Sequence, residues 1–199
     1  VVQHGYERIM IRTVDTDVVV LSIALCLPIH ASELWISFGV CDNFKYIPVH
    51  KSWFSRSKVW SSAYVYAFSE CHNTSSFAGK VKKYSWEMWQ ICDSVTEVFA
   101  DLGNEPNLER VAQHMANLER FVVLLYDKTS TATSADEARK DLFTRKGRSI
   151  DLIPPTSAAL YQHVRRASYQ AGHVWGQLLL PNPVLPSPDE WGWMKGPGN

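Results

Sequence analysis

This sequence carries no excess of charge. Lys and Arg together number 20, as do Asp and Glu, so bulk attraction announces no polyanionic partner and any basic surface has to be local. There is no CxxC pair. Cys26, Cys41, Cys71 and Cys92 are widely spaced, which argues against a zinc knuckle and against a dense disulfide framework. No apolar run is long enough to span a bilayer, and the longest, Val18 to Ile29, contains Ser22. No basic segment followed by an apolar core opens the chain. The expectation is therefore a reducing, intracellular compartment, nuclear or cytoplasmic, with the sequon Asn73-Thr74-Ser75 a chance match. A Walker loop, a dinucleotide fingerprint and a nucleophile elbow are also missing, so nucleotide, hydride and acyl-transfer chemistry have no support from motifs.

What is present suffices for a globular core, because 46% of the 199 residues are apolar. The first half reads as α/β. Glu7 to Thr13 is expected as a strand and Thr16 to Leu27 as a buried helix. Glu33 to Val40 and Phe44 to Val49 are expected as two strands across the turn Cys41-Asp42-Asn43. Trp60 to Phe68 is expected as an apolar helix. Beyond Asn107 the period changes: Leu108, Val111, Met115, Leu118, Val122 and Leu125 form one stripe of a helix, with Asn107 as its cap. Ser134-Ala135-Asp136-Glu137 has capping-box spacing for a short helix ending near Gly147. Pro154-Pro155-Thr156 opens another, expected to stop at Gly172. The tail from Leu180 is rich in Pro and Gly, excludes a long regular element, and offers Trp191 and Trp193 as anchors.

Asp15 and Asp17 raise the question of chemistry. They follow a strand, at the edge where α/β sheets place their sites, and two carboxylates so close repel each other unless a cation such as Mg²⁺ or Mn²⁺ lies between them. The competing reading is local: Asp15 or Thr16 caps the following helix and Asp17 complements its dipole. Spacing alone favours the cap.

The order of features widens the comparison. A strand ends in Thr-Val-Asp15-Thr-Asp17. A helix, a strand pair and an apolar helix follow, and then "SECHNTSSFAGKVKKYSW". This order resembles the second half of a PIN-like nuclease domain of the flap-endonuclease type. More closely, it resembles the domain in uncharacterised metazoan proteins often linked to mobile elements. "FVVLLYDKTS", "RKGRSIDLIPPTSAALYQH", "YQAGHVWGQ" and "LPNPVLPSPDEWGW" look like the C-terminal half of the same proteins. The resemblance implies a partial PIN-like parallel sheet over residues 1–106, a mainly helical extension over 107–176, and a Pro/Gly/Trp-rich tail over 177–199. It also implies Asp15 and Asp17 as catalytic metal ligands for Mg²⁺ or Mn²⁺, and DNA gripped near Lys80, Lys82 and Lys83.

The departures from the family are specific. Where the family reads Gly-Cys-Asp, this chain reads Glu70-Cys71-His72, so His72 replaces a ligand carboxylate with an imidazole that suits Mg²⁺ poorly. Where the lysine-rich turn has a second glycine, this chain has Val81. The resemblance places further acids and strands before Val1, so the expectation is a truncated, catalytically impaired nuclease remnant with weak nucleic-acid binding. An uncovered apolar sheet edge or face would then drive self-association or recruit a partner segment. The rival expectation is a non-catalytic structural or protein-interaction domain.

Two further clusters carry less. Arg139, Lys140, Arg145, Lys146 and Arg148 are diluted by Asp136, Glu137 and Asp141, which favours a solvated face. His163, Arg165, Arg166 and His173 have no acid or nucleophile beside them in sequence, which favours structural roles.

Overall fold

The computed structural model describes residues 5–29, 31–42, 44–51, 56–71, 73–144 and 148–194. Among these, the chain forms one three-stranded sheet and seven α-helices. The alternating segment before the Asp pair forms β1 (Arg8–Thr13), and the apolar run becomes α1 (Thr16–Ile29). β2 (Glu33–Phe38) then pairs parallel with β1, from Arg8 opposite Glu33 to Thr13 opposite Phe38. β3 (Lys45–Pro48) returns antiparallel to β2, with Ile36 opposite Ile47. The expected parallel sheet is thus mixed. Only β1 to β2 has a helix for its crossover; the short link to β3 can close only a hairpin.

Alternation sorts the sheet residues. Ile9, Ile11, Leu34, Ile36 and Ile47 gather with Val49 on one face, closed by Val19 and Ile23 of α1. On the opposite face Met10 and Tyr46 remain 61% and 60% exposed, and β1 is an edge strand.

α1 has two apolar sides for a reason. While Val19 and Ile23 meet the sheet, Val20, Leu21 and Ala24 meet the larger core behind it. That core is built around α2 (Arg56–Glu70), in which every residue from Ser61 to Ser69 is buried. A helix buried all round must satisfy its polar groups internally. Ser61 Oγ donates to the Thr96 carbonyl at 2.7 Å, and Tyr64 Oη lies 3.1 Å from Ser168 Oγ. Around it pack α1, α3 (Lys82–Ile91), α4 (Thr96–Asn104) and α7 (Ser157–Ser168). α5 (Leu108–Tyr126) packs against α4 and α7, and α6 (Ala135–Thr144) against α5.

The caps form as the sequence suggested. Asn107 Oδ1 accepts from the Arg110 amide at 2.8 Å, and Thr156 Oγ1 from the Ala159 amide at 3.2 Å. Ser134 Oγ accepts from the Glu137 amide at 3.2 Å, but the Glu137 carboxylate reaches one residue further back, to the Thr133 amide at 2.9 Å. α6 ends at Thr144; the expected stop at Gly147 lies outside the described residues.

Gly172 corrects the reading of the last helix. The path does not stop there. α7 widens into a π-helical turn over Tyr169–Val174 and closes as a 3₁₀ turn over Trp175–Gln177. Gly172 sits against Pro106, where an added Cβ would lie 2.3 Å from the ring Cγ. Its role is close approach rather than chain reversal. The tail then folds back along α7. Trp191 is 4% exposed, with its ring 4.7 Å from that of His173, and Trp193 packs 5.2 Å from Tyr169.

Candidate functional site: the groove between the starts of α1 and α3

The loop after β1 is organised by its own polar groups. Asp15 donates its amide to Thr13 Oγ1 at 3.0 Å, and its carboxylate accepts the Asp17 amide at 2.9 Å. Asp15 therefore caps α1, satisfying one of the amides that the first helical turn leaves without a partner. Asp17, in the first turn of α1, meets a cation from elsewhere. Its Oδ1 lies 3.7 Å from Lys82 Nζ at the start of α3, with the two side chains 26% and 33% exposed.

Tyr66 joins these helices from below. Lys82 Nζ donates to Tyr66 Oη at 2.7 Å and stands 3.9 Å from the ring centroid, so it also meets the electron-rich face. Tyr66 Oη is 2.5 Å from Thr16 Oγ1. Burial pushes the Tyr66 phenol above its ordinary value. Asp17 raises it further, while Lys82 and Thr16 oppose the shift. Thr16, Asp17, Tyr66 and Lys82 thus form one polar cluster from α1, α2 and α3.

Three of these residues, Thr16, Tyr66 and Lys82, wall a groove of about 460 Å³ that Phe38 and Ile47 line from the sheet and that Lys45 and Lys83 also line. Lys83 is 85% exposed and pairs only loosely with Glu87, at 3.8 Å along its own helix. Trp86 is 37% exposed on the rim, whereas Trp89 is turned into the core, its indole N–H on Thr96 Oγ1 at 2.9 Å. Of the sequence candidates, Lys82 and Lys83 line the groove, and Asp17 joins them only through its pair with Lys82. Tyr66 and Lys45 were not foreseen. Neither has a motif, and each reaches the groove only through tertiary packing.

Lys80 goes elsewhere. Its ammonium lies between the rings of Tyr84 and Tyr126, 4.8 and 4.9 Å from their centroids, and Lys128 stands 5.1 Å from the Tyr84 ring. Burial lowers the Lys80 pKa, and the charges of Arg148 and Lys128 lower it further. Gly79, at φ +68°, makes the turn that parts Lys80 from Lys82. Val81 follows as the cap residue of α3 in ordinary extended backbone, 64% exposed.

The divalent ion implied by the resemblance does not fit the residues in place. Asp15 is held by the helix amide and Asp17 faces an ammonium. Among the described residues no three His, Cys, Asp or Glu side chains come together to hold a metal, and His72 lies outside them. Also among the described residues, no helix is long and apolar enough to cross a membrane.

No family model, curated protein or solved structure matches this chain.

Proposed function

We propose that this chain is a relative of PIN-like nucleases that binds single-stranded nucleic acid through its phosphate backbone and does not cleave it. The observation that carries this reading is the seat of Lys82. Asp17 and Tyr66 hold its ammonium on the wall of a groove that Lys45 and Lys83 also line. Cations beside a partly exposed aromatic rim suit a strand whose phosphates meet the lysines while a base stacks on Trp86. Two-metal hydrolysis needs several carboxylates free to hold ions about 4 Å apart, and Asp15 and Asp17 are both engaged.

The test is fluorescence anisotropy of a labelled single-stranded oligonucleotide across a salt series. Replacing Lys45, Lys82 and Lys83 by glutamine should weaken binding. It should also flatten the plot of log affinity against log salt by about 2, roughly 0.7 for each lost phosphate contact. An unchanged slope would remove the groove from the binding surface.

A second reading has its own observation. The outer sheet face leaves Met10 and Tyr46 mostly exposed beside the β1 edge, which favours a protein-interaction role through self-association or an added strand. Light scattering tests it: a dimer that Met10→Lys with Tyr46→Lys dissociates would support this role, and a monomer at all concentrations would contradict self-association.

A further inference from the structure

A second cleft, of about 370 Å³, shares no lining residue with the groove and lies between the 75–78 loop, α6 and α7. On its wall the exposed Ser75 meets the buried His163, 88 positions away in the chain, with Oγ to Nδ1 at 2.6 Å. The other ring nitrogen, Nε2, lies 2.7 Å from the Phe68 carbonyl oxygen. A carbonyl only accepts, so Nε2 must carry a hydrogen, and in the neutral ring Nδ1 is then the acceptor. The Ser75 proton therefore points at His163. Arg166 Nη2 donates to the same oxygen at 3.0 Å, which engages one Oγ lone pair and leaves the other to attack.

The surroundings fix this arrangement. The rings of Phe68 and Phe77 hold the imidazole edge-on at 5.0 and 4.8 Å. Arg166 is braced by the Gly192 carbonyl at 2.9 Å, and Arg139 on the same cleft by the Pro154 carbonyl at 2.8 Å. Neither guanidinium pairs with a carboxylate among the described residues. The cleft thus holds an oriented hydroxyl, a neutral base whose tautomer is fixed, and two guanidinium groups with no ion-pair partner among the described residues.

We infer that Ser75 is a nucleophile activated by His163, with Arg166 and Arg139 selecting esters that carry a negative charge. Ser75 Oγ attacks the ester carbonyl and its proton passes to His163 Nδ1. The C–O bond to the alcohol breaks, and the leaving alkoxide takes the proton from His163. Water then attacks the acyl-serine through the same imidazole, returning Ser75 and releasing the acid. Arg166 stabilises the oxyanion, and the Phe68 carbonyl orients the imidazole. Burial lowers His163 to about 4, so the base form is complete at neutral pH. The charged groups on this cleft are the two arginines, and the imidazolium that forms beside them needs the substrate's anion as its counter-charge. That need is the chemical reason for an anionic ester. His163 and Arg166 stand out in the sequence, but their nucleophile does not, because Ser75 meets His163 only in the fold.

The intact chain treated with a fluorophosphonate probe tests this. Attack by Ser75 forms an O–P bond and expels fluoride, with the proton going to His163. Expected are a single adduct mapped by mass spectrometry to Ser75, none in Ser75→Ala, and at least tenfold slower labelling in His163→Gln and Arg166→Met. The wild-type rate should be flat from pH 6 to 9, because the base is already neutral there. Circular dichroism identifies a variant that fails to fold. If His163→Gln does, the Ser75→Ala result and the flat profile decide the matter. No adduct, labelling scattered over several serines, labelling that survives Ser75→Ala, an undiminished rate in a folded His163→Gln, or a rate rising steadily with pH would each overturn the assignment.

Discussion

The Asp17 carboxylate and the Lys82 ammonium lie 3.7 Å apart, joining the first turns of α1 and α3 across residues 65 positions distant in sequence. Both had been singled out for separate tasks, one for a cation and one for a phosphate. In the fold each occupies the other's charge. With about a third of each side chain exposed, Lys82→Met should cost under about 1 kcal/mol in urea unfolding, since exposed pairs contribute little. The same change should weaken oligonucleotide binding several-fold. A large loss of stability would mean that the pair serves the fold rather than the groove.

Stability should fall with acid through His163. Burial chiefly lowers its pKa from 6.5 to about 4; the Phe68 carbonyl opposes the shift and Arg166 adds to it. The unfolded chain protonates this group near its ordinary value, while the folded chain holds it neutral. Its contribution is therefore complete above pH 6.5 and is lost as the pH falls toward 4, on the order of 3 kcal/mol in all. Urea titrations across that window check it, and His163→Gln should flatten the dependence.

Gly172→Ala should destabilise by about 1–3 kcal/mol, because the added methyl would enter the Pro106 ring. Pro106→Ala in the same chain should restore most of the loss. Additive effects in that double-mutant cycle would contradict the close-approach role.

Trp191→Ala should cost about 3–5 kcal/mol, by emptying the buried site against His173 and Tyr169. Limited proteolysis should then cut the tail near Pro186, whose carbonyl Tyr169 Oη holds at 3.0 Å. A protected tail would place its anchorage elsewhere.

Legibility in the sequence followed physical locality. β1, the α5 stripe and the caps at Asn107 and Thr156 rest on period and neighbouring side chains, and they stand where the pattern put them. The stripe frays only at Leu108, which is 36% exposed in the first turn. α2 gave a weaker signal because a helix buried on all sides has no polar face to mark its period. α4 carries a short helical stripe of its own in Val98, Phe99 and Leu102, whereas the π turn has no local mark because it depends on Gly172 meeting Pro106. At the groove, Lys82 and Lys83 could be named from motifs, as could Asp17 beside Lys82. Tyr66 and Lys45, and the turning of Lys80 toward Tyr126, depend on contacts between distant elements that no local pattern encodes.

We propose that this chain binds a nucleic-acid backbone in the groove beside the Asp17–Lys82 pair, without a metal. The most direct test is one gel of an end-labelled flap substrate, incubated with the chain in Mg²⁺, in Mn²⁺ or in EDTA, beside Asp15→Asn. Intact substrate is expected in every lane, with a retarded complex that forms as well in EDTA as in Mg²⁺. Cleavage products that need the metal and vanish in Asp15→Asn would contradict it.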